Sequence, residues 1–355
     1  MSEGDAKNVS ASQDAAVREW LDTLGLDPHE MDIALGDPQV PTLIRTLLQS
    51  GDGVLSVRRV AERSDLPIEV IREVRLAAGL EPADDDALVY EEPDVEAFAT
   101  LKLGLDLFSK QELLSFIRVV GSSMNRIAEA ATSLYRGDVE RPMRTSGASA
   151  ADIVRTTIEA QNLALSLTSV LRMMMRQHMI QSVDRARRAY AGTSRADLMA
   201  PMVVGFVDLV GFTPLSADMD PQQLSEVVAR FEATATDTIT ALGGRLVKLI
   251  GDEVMFVAVE PVDGCRIAEG LLRRFGSDPE LTPRGGMAYG PVLARGGDYF
   301  GSMVNLAARL VDQAVPGEVL LTAELAAYAP MPVEPGGRRM LKGFADPVAV
   351  SSLTP

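Results

Sequence analysis

Residues 245–259 read Arg245-Leu246-Val247-Lys248-Leu249-Ile250-Gly251-Asp252-Glu253-Val254-Met255-Phe256-Val257-Ala258-Val259. Polar and apolar side chains alternate over 245–250, imperfectly at the end, and 254–259 is a continuous run of strand-forming residues. Gly251-Asp252 between them is a turn pair. The stretch predicts two antiparallel strands whose tight turn lifts the Asp252 carboxylate to the sheet edge. Upstream, the apolar run 202–207 ends in Asp208 and is followed by Gly211-Phe212-Thr213. Two acids at the ends of neighbouring strands can share a pair of divalent cations. Such a site takes hard oxygen ligands around ions about 3.5–4 Å apart. Either acid alone also reads as an ordinary turn or strand-end aspartate.

A third piece follows: Arg295-Gly296-Gly297-Asp298-Tyr299-Phe300-Gly301-Ser302-Met303-Val304-Asn305-Leu306-Ala307-Ala308-Arg309. In this order the three pieces resemble the catalytic core of class III nucleotidyl cyclases, and more narrowly class III adenylate cyclases of the actinobacterial type with a helical N-terminal regulatory domain. The resemblance runs from about residue 200 to the C-terminus. Elements are predicted at 202–208 (strand), 221–242 (helix), 245–259 (hairpin), 262–275 (helix), 284–289 and 292–295 (strands), 302–313 (helix) and 319–322 (strand). The expected fold is α+β: a ferredoxin-like cyclase catalytic domain at 192–355, preceded by an all-α regulatory domain at 1–191 that ends in a long linker helix.

The resemblance implies a role for each matching residue. Asp208 and Asp252, with Leu209, hold two divalent cations per site, Mg²⁺ or Mn²⁺. Asn305 orients the ribose, and Arg309 neutralises charge developing on the α-phosphate. Lys248 and Asp298 read the base; an ammonium donates to the adenine ring nitrogen and a carboxylate accepts from its exocyclic amine, which makes ATP the substrate. Arg284 and Lys342 align less securely with residues that hold the triphosphate, and backbone N–H groups around Phe212 and Thr213 can assist. The reaction implied is attack of the ribose 3′-hydroxyl on the α-phosphate, with pyrophosphate leaving. On the helix beginning at Ser302, Val304, Ala307, Ala308 and Val311 form the expected buried stripe, while Asn305 and Arg309, four apart, share an adjacent face. Lys248 and Asp252 are also only four apart, yet are needed at opposite ends of the nucleotide. The family resolves this with a homodimer whose sites draw on both chains. One departure is Glu253, where many relatives carry glycine; strand alternation is expected to turn it away from Asp252.

The 355 residues predict about two domains, and 46% hydrophobic residues suffice for real cores. No uninterrupted apolar run reaches the ~18 residues of a membrane span. The acidic N-terminus carries no evident signal peptide, and the single cysteine, Cys265, rules out an internal disulfide framework. A cytoplasmic protein is expected. Residues 1–100 hold 22 acids against 8 Lys/Arg, so almost all of the net charge of −16 lies there.

In the front part, 15–26, 29–35 and 42–48 read as short helices. Residues 56–63 and 67–78 have helix-turn-helix form. As a DNA reader this pair would use Arg58, Arg59, Arg63, Arg72 and Arg75, but acids interleave with them, so packing of two helices is the favoured reading and a nucleic-acid partner is not expected. Residues 81–94 read as an acidic loop, 95–108 and 111–135 as longer helices, 136–148 as a break, and 151–190 as one long helix. Its methionines suit a core or a dimer seam, less readily a lipid or small-molecule pocket. His178 near its end is a candidate regulatory residue, because imidazole changes charge in the physiological range, although a solvated or core-packed imidazole is the slightly favoured reading. Gly192-Thr193-Ser194 is the best linker candidate. Rival readings are a catalytically silent nucleotide sensor and a DNA-binding regulator.

Overall fold

The computed structural model describes residues 18, 22, 55–148, 150–191, 198–212, 219–276 and 282–354. The predicted helices at 15–26, 29–35 and 42–48 lie outside the described residues apart from Arg18 and Asp22, which are helical, and so does the linker at 192–194. Two compact units divide the chain, 1–175 and 176–355.

In the first unit, helices α1 (Val57–Ser64) and α2 (Ile68–Ala77) form the expected pair. Ser56 caps α1 by accepting the Arg59 N–H at 3.2 Å, and Pro67 starts the second helix without needing a donor. Their inner faces bury Val57, Val60, Ile71 and Val74 against Tyr90 and Phe98. The acidic loop is more ordered than expected: β1 (Leu55–Ser56) pairs antiparallel with β2 (Leu88–Tyr90), so among its described residues the unit is helical but for this short ladder. Each arginine proposed for DNA instead has a local partner. Arg58 binds Asp86 at 3.0 Å, Arg59 binds Glu62, Arg63 binds Glu92 and Arg72 binds Asp85; Arg75 donates to the Glu81 carbonyl. Cations already compensated in this way offer little to a phosphate backbone, which favours the scaffold reading.

Helices α3 (Glu92–Leu107) and α4 (Lys110–Tyr135) follow. Gly121 is where α4 meets α2, for a Cβ there would lie 2.2 Å from the Ala78 carbonyl oxygen. The predicted break at 136–148 is largely helical. A π-turn (Arg136–Glu140) leads into the short α5 (Arg141–Thr145), and the wider turn lets the Arg141 N–H reach the Arg136 carbonyl just ahead of Pro142. The long helix predicted at 151–190 is two, α6 (Ala150–Ser166) and α7 (Thr168–Ala189). The Ser166 hydroxyl donates to the Leu163 carbonyl at 2.7 Å at the interruption, the kind of side-chain bond that competes with a helix ladder.

The second unit is a sheet with helices on both faces. Strands β3 (Met199–Val210), β4 (Arg245–Ile250), β5 (Glu253–Ala258), β6 (Thr282–Arg295), β8 (Val319–Thr322), β9 (Glu334–Arg339) and β10 (Val348–Leu353) run in the order β4-β5-β3-β6-β8-β10-β9, and β7 (Asp298–Phe300) joins β6. Pairing is antiparallel except between β6 and β8. Alternation along β3 sorts the core. Val203, Val207 and Leu209 join Phe231 of α8 (Pro221–Ala241) and Phe275 of α9 (Pro261–Phe275). Met202, Val204 and Phe206 pack with Ala307 and Leu310 of α10 (Ser302–Val311), and with Ala189 at the end of α7. The buried stripe of α10 is Leu306, Ala307, Leu310 and Val311, whereas Val304 and Ala308 of the expected stripe are only half-buried. Both still pack against that core, and α10 approaches β6 closely at Gly286, where a Cβ would lie 2.4 Å from the Ala307 carbonyl oxygen. The two strands predicted between 284 and 295 are a single one, β6. Strands β7, β9 and β10 and the short α11 (Ala323–Ala326) were not anticipated.

Candidate active site

The β3–β5 ladder sets Asp208 directly opposite Glu253, and the β3–β6 ladder sets it opposite Arg284. Directly paired side chains share a face, here the one carrying α10. Arg284 grips the Asp208 carboxylate through Nη2 at 2.8 Å and Nε at 3.0 Å. Asp252 occupies the β4–β5 turn, tied to β3 by the Leu209 N–H, which donates to the Asp252 carbonyl at 3.2 Å. Burial pushes the Asp252 carboxyl up, and the nearby Asp208 adds to this. Glu253 does not turn away from the acids as expected. Because the ladder places it across from Asp208, burial first and then Asp208, Asp252 and Asp312 push its carboxyl up to about 7. Among the described residues no three His, Cys, Asp or Glu side chains are grouped as a self-sufficient metal site.

A second cluster stands on the same chain. Lys248 pairs with Met255 after an irregularity in the β4–β5 register, which turns its ammonium to the α10 face, 2.5 Å from Asp298 Oδ2. Asp298 Oδ1 accepts the Tyr299 N–H at 2.8 Å. Burial raises the Asp298 carboxyl, but Lys248, the Tyr299 N–H and Arg245 outweigh it and hold it below the usual carboxylate range. Arg245 was missed in the sequence. Its Nη2 donates to the Gly297 carbonyl at 2.8 Å and its Nη1 to the Tyr299 hydroxyl at 3.1 Å, so it pins the turn that carries Asp298. The imperfect alternation opening at Arg245 was the available signal.

The remaining candidates are placed singly. Asn305 and Arg309 are exposed on α10, with Arg309 3.4 Å from Asp312. Phe212 packs on the α8–α9 side of the sheet, and Leu209 is buried there, so only its backbone faces the acids. Lys342 is exposed beyond the buried Leu341, His178 is exposed on α7, and Thr213 lies outside the described residues.

Paired acids at one strand end suit divalent cations that in turn carry a nucleotide phosphate, and a lysine–aspartate pair suits a base edge. A family model for the adenylate cyclase regulatory domain matches residues 3–183, more than half of the chain. The chain belongs to the class III adenylate cyclase family. An adenylate cyclase of Glutamicibacter nicotianae is 31% identical over 75% of this cyclase and 69% of its own length. A pH-sensitive adenylate cyclase of Mycobacterium tuberculosis is 29% identical over 90% and 80%. An uncharacterized protein of Mycobacterium tuberculosis is 33% identical over 96% and 90%. Among solved structures, the adenylyl cyclase CyaB of P. aeruginosa aligns with 44% of this cyclase and 94% of its own chain, at 21% identity and a TM-score of 0.39. The cyclase is an enzyme with a catalytic unit and a regulatory unit. None of the helices among its described residues is long and apolar enough to cross a membrane.

Proposed function

We propose that this cyclase converts ATP to 3′,5′-cyclic AMP and pyrophosphate at sites shared between two copies of the chain. The observation that carries the reading is the Lys248–Asp298 pair, a donor and an acceptor 2.5 Å apart, matched to the ring nitrogen and exocyclic amine of adenine. Guanine presents the opposite pattern at that edge. The donor chemistry at Asp208 and Asp252 also fits Mg²⁺ or Mn²⁺, which bind through one or two carboxylates and complete their shells with water and substrate phosphates. Two half-buried carboxylates set close together, with Arg284 held by Asp208 alone among the two, are relieved by a cation. Held by Asp208, Asp252 and the Leu209 backbone, such a pair of ions would acidify the ribose 3′-hydroxyl and stabilise the leaving pyrophosphate.

The chain's own residues do the rest. Lys248 and Asp298 hold the adenine, Asn305 orients the ribose and Arg309 meets charge on the α-phosphate. Arg284 exchanges Asp208 for a phosphate oxygen, and Lys342 with the Phe212–Thr213 segment closes on the triphosphate. The purified protein should form cyclic AMP from ATP with Mn²⁺. Tight ATP binding without any product would instead identify a silent sensor.

His178, on the helix entering the catalytic unit, is the proposed pH-responsive group, a reading supported by the name of the pH-sensitive relative. Activity of the full-length protein between about pH 5.5 and 8 should flatten in His178→Ala; an unchanged profile clears that residue.

A further inference from the structure

Behind the turn that carries Asp298 lies a cavity of about 210 Å³. It is lined by Arg185 and Ala189 on the last turns of α7, by Arg245, and by Arg295, Gly297 and Asp298 around the β6–β7 connection. Arg185 and Arg245 thus line the cavity together with one carboxylate, and that carboxylate is already engaged by Lys248 and the Tyr299 N–H. Arg245 is anchored to the Gly297 carbonyl and the Tyr299 hydroxyl. Arg185 is half-buried and has no hydrogen bond or ion pair among the described residues. Burial, and then Arg245 close by, push its guanidinium down. Leaving a part-buried cation beside a second cation without a counter-charge is unfavourable, and proteins ordinarily pair such groups.

We infer that this cavity binds a small tetrahedral oxyanion of the phosphate class, with Arg185 as its principal ligand and Arg245 sharing the charge. Guanidinium groups match such an anion with paired, charge-assisted hydrogen bonds. At about 30 Å³ per water, the space holds one such ion together with a few residual waters. Among the described residues of the proposed catalytic set, only Asp298 lines it, so the site is distinct from the one for the triphosphate. Because Arg245 also pins the Asp298 turn, occupancy bears on base reading, and only this consequence rests on the adenine assignment.

Calorimetric titration of the full-length protein with inorganic phosphate tests the site directly. The protein is kept free of metal, and ionic strength is held constant with chloride. One saturable event per chain is expected, retained in Asp208→Ala, weakened at least tenfold in Arg185→Gln and partly restored in Arg185→Lys. Phenyl phosphate in a parallel titration separates the sources: binding of both identifies a phosphoryl group, binding of phosphate alone identifies the free ion, and either sustains the site. Three results overturn the inference: no saturable binding to the wild type, equal binding by Arg185→Gln, or loss of binding in Asp208→Ala, which would place the phosphate among the catalytic residues.

Discussion

Lys248 and Asp298 are each other's partners in the free protein, so under the proposed base-reading role adenine would compete with an ion pair that is already formed. Hydrogen bonds to charged groups contribute about 1.5–3 kcal/mol each, a factor of about 10–100 apiece. Replacing both residues by alanine should therefore lower kcat/KM for ATP by two orders of magnitude or more while Mn²⁺ binding persists. Normal turnover in the double variant would remove the base-reading role. Cys265 makes a different case. It is fully buried in the α9 core, and burial pushes its thiol up to about 11. The folded state therefore holds its proton more tightly than the unfolded state. The contribution to stability is complete below the unfolded value near 9 and is lost as pH climbs toward 11. Native protein should resist thiol reagents at pH 8 and react only in denaturant, and Cys265→Ala should shallow the alkaline decline in melting temperature. Rapid labelling of the native thiol would contradict its burial.

At the level of elements, the α2–α4 crossing depends on Gly121. Alanine there gains about 1 kcal/mol of helix propensity, but its Cβ would fall 2.2–2.6 Å from three backbone atoms of Ala78, and overpacking against backbone costs about 1–3 kcal/mol. The clash should win, so Gly121→Ala should lower the urea midpoint of the regulatory unit; a raised midpoint would mean that the helices separate freely. Elements with strong periodicity were legible in the sequence: the hairpin, β3, α8, α9 and α10 all appear within a few residues of where their patterns placed them. Strand β9, Glu-Pro-Gly-Gly-Arg-Arg, has no apolar alternation and exists because β10 pairs with it, a tertiary cause that no local pattern records. The acidic pair and Lys248–Asp298 were legible through their order along the chain. Arg245 and the true facing of Glu253 were not, because both follow from strand register, which a single sequence does not fix.

For the molecule as a whole, the proposed assembly makes a prediction that no single chain could satisfy. If one protomer supplies Asp208 and Asp252 while its partner supplies Lys248, Asp298, Asn305 and Arg309, then Asp208→Ala and Asn305→Ala should each be almost inactive alone. In a mixed dimer both lesions fall on one site and the other site is intact. Activity should return in proportion to the heterodimer population, up to about half of wild type per mixed dimer. Silence from a verified heterodimer would place each site within one chain.

The sheet that carries this chemistry ends in β4 on one side and in β9 on the other. Open sheet edges invite foreign strands, and proteins blunt them with proline, charge and irregularity. Strand β9 has all three: Pro335 offers no N–H, Arg338 and Arg339 bring charge, and the ladder to β10 slips between Val350 and Ser351. The sequence that looked least like a strand is therefore well suited to keeping the folded cyclase from growing into fibrils at high concentration.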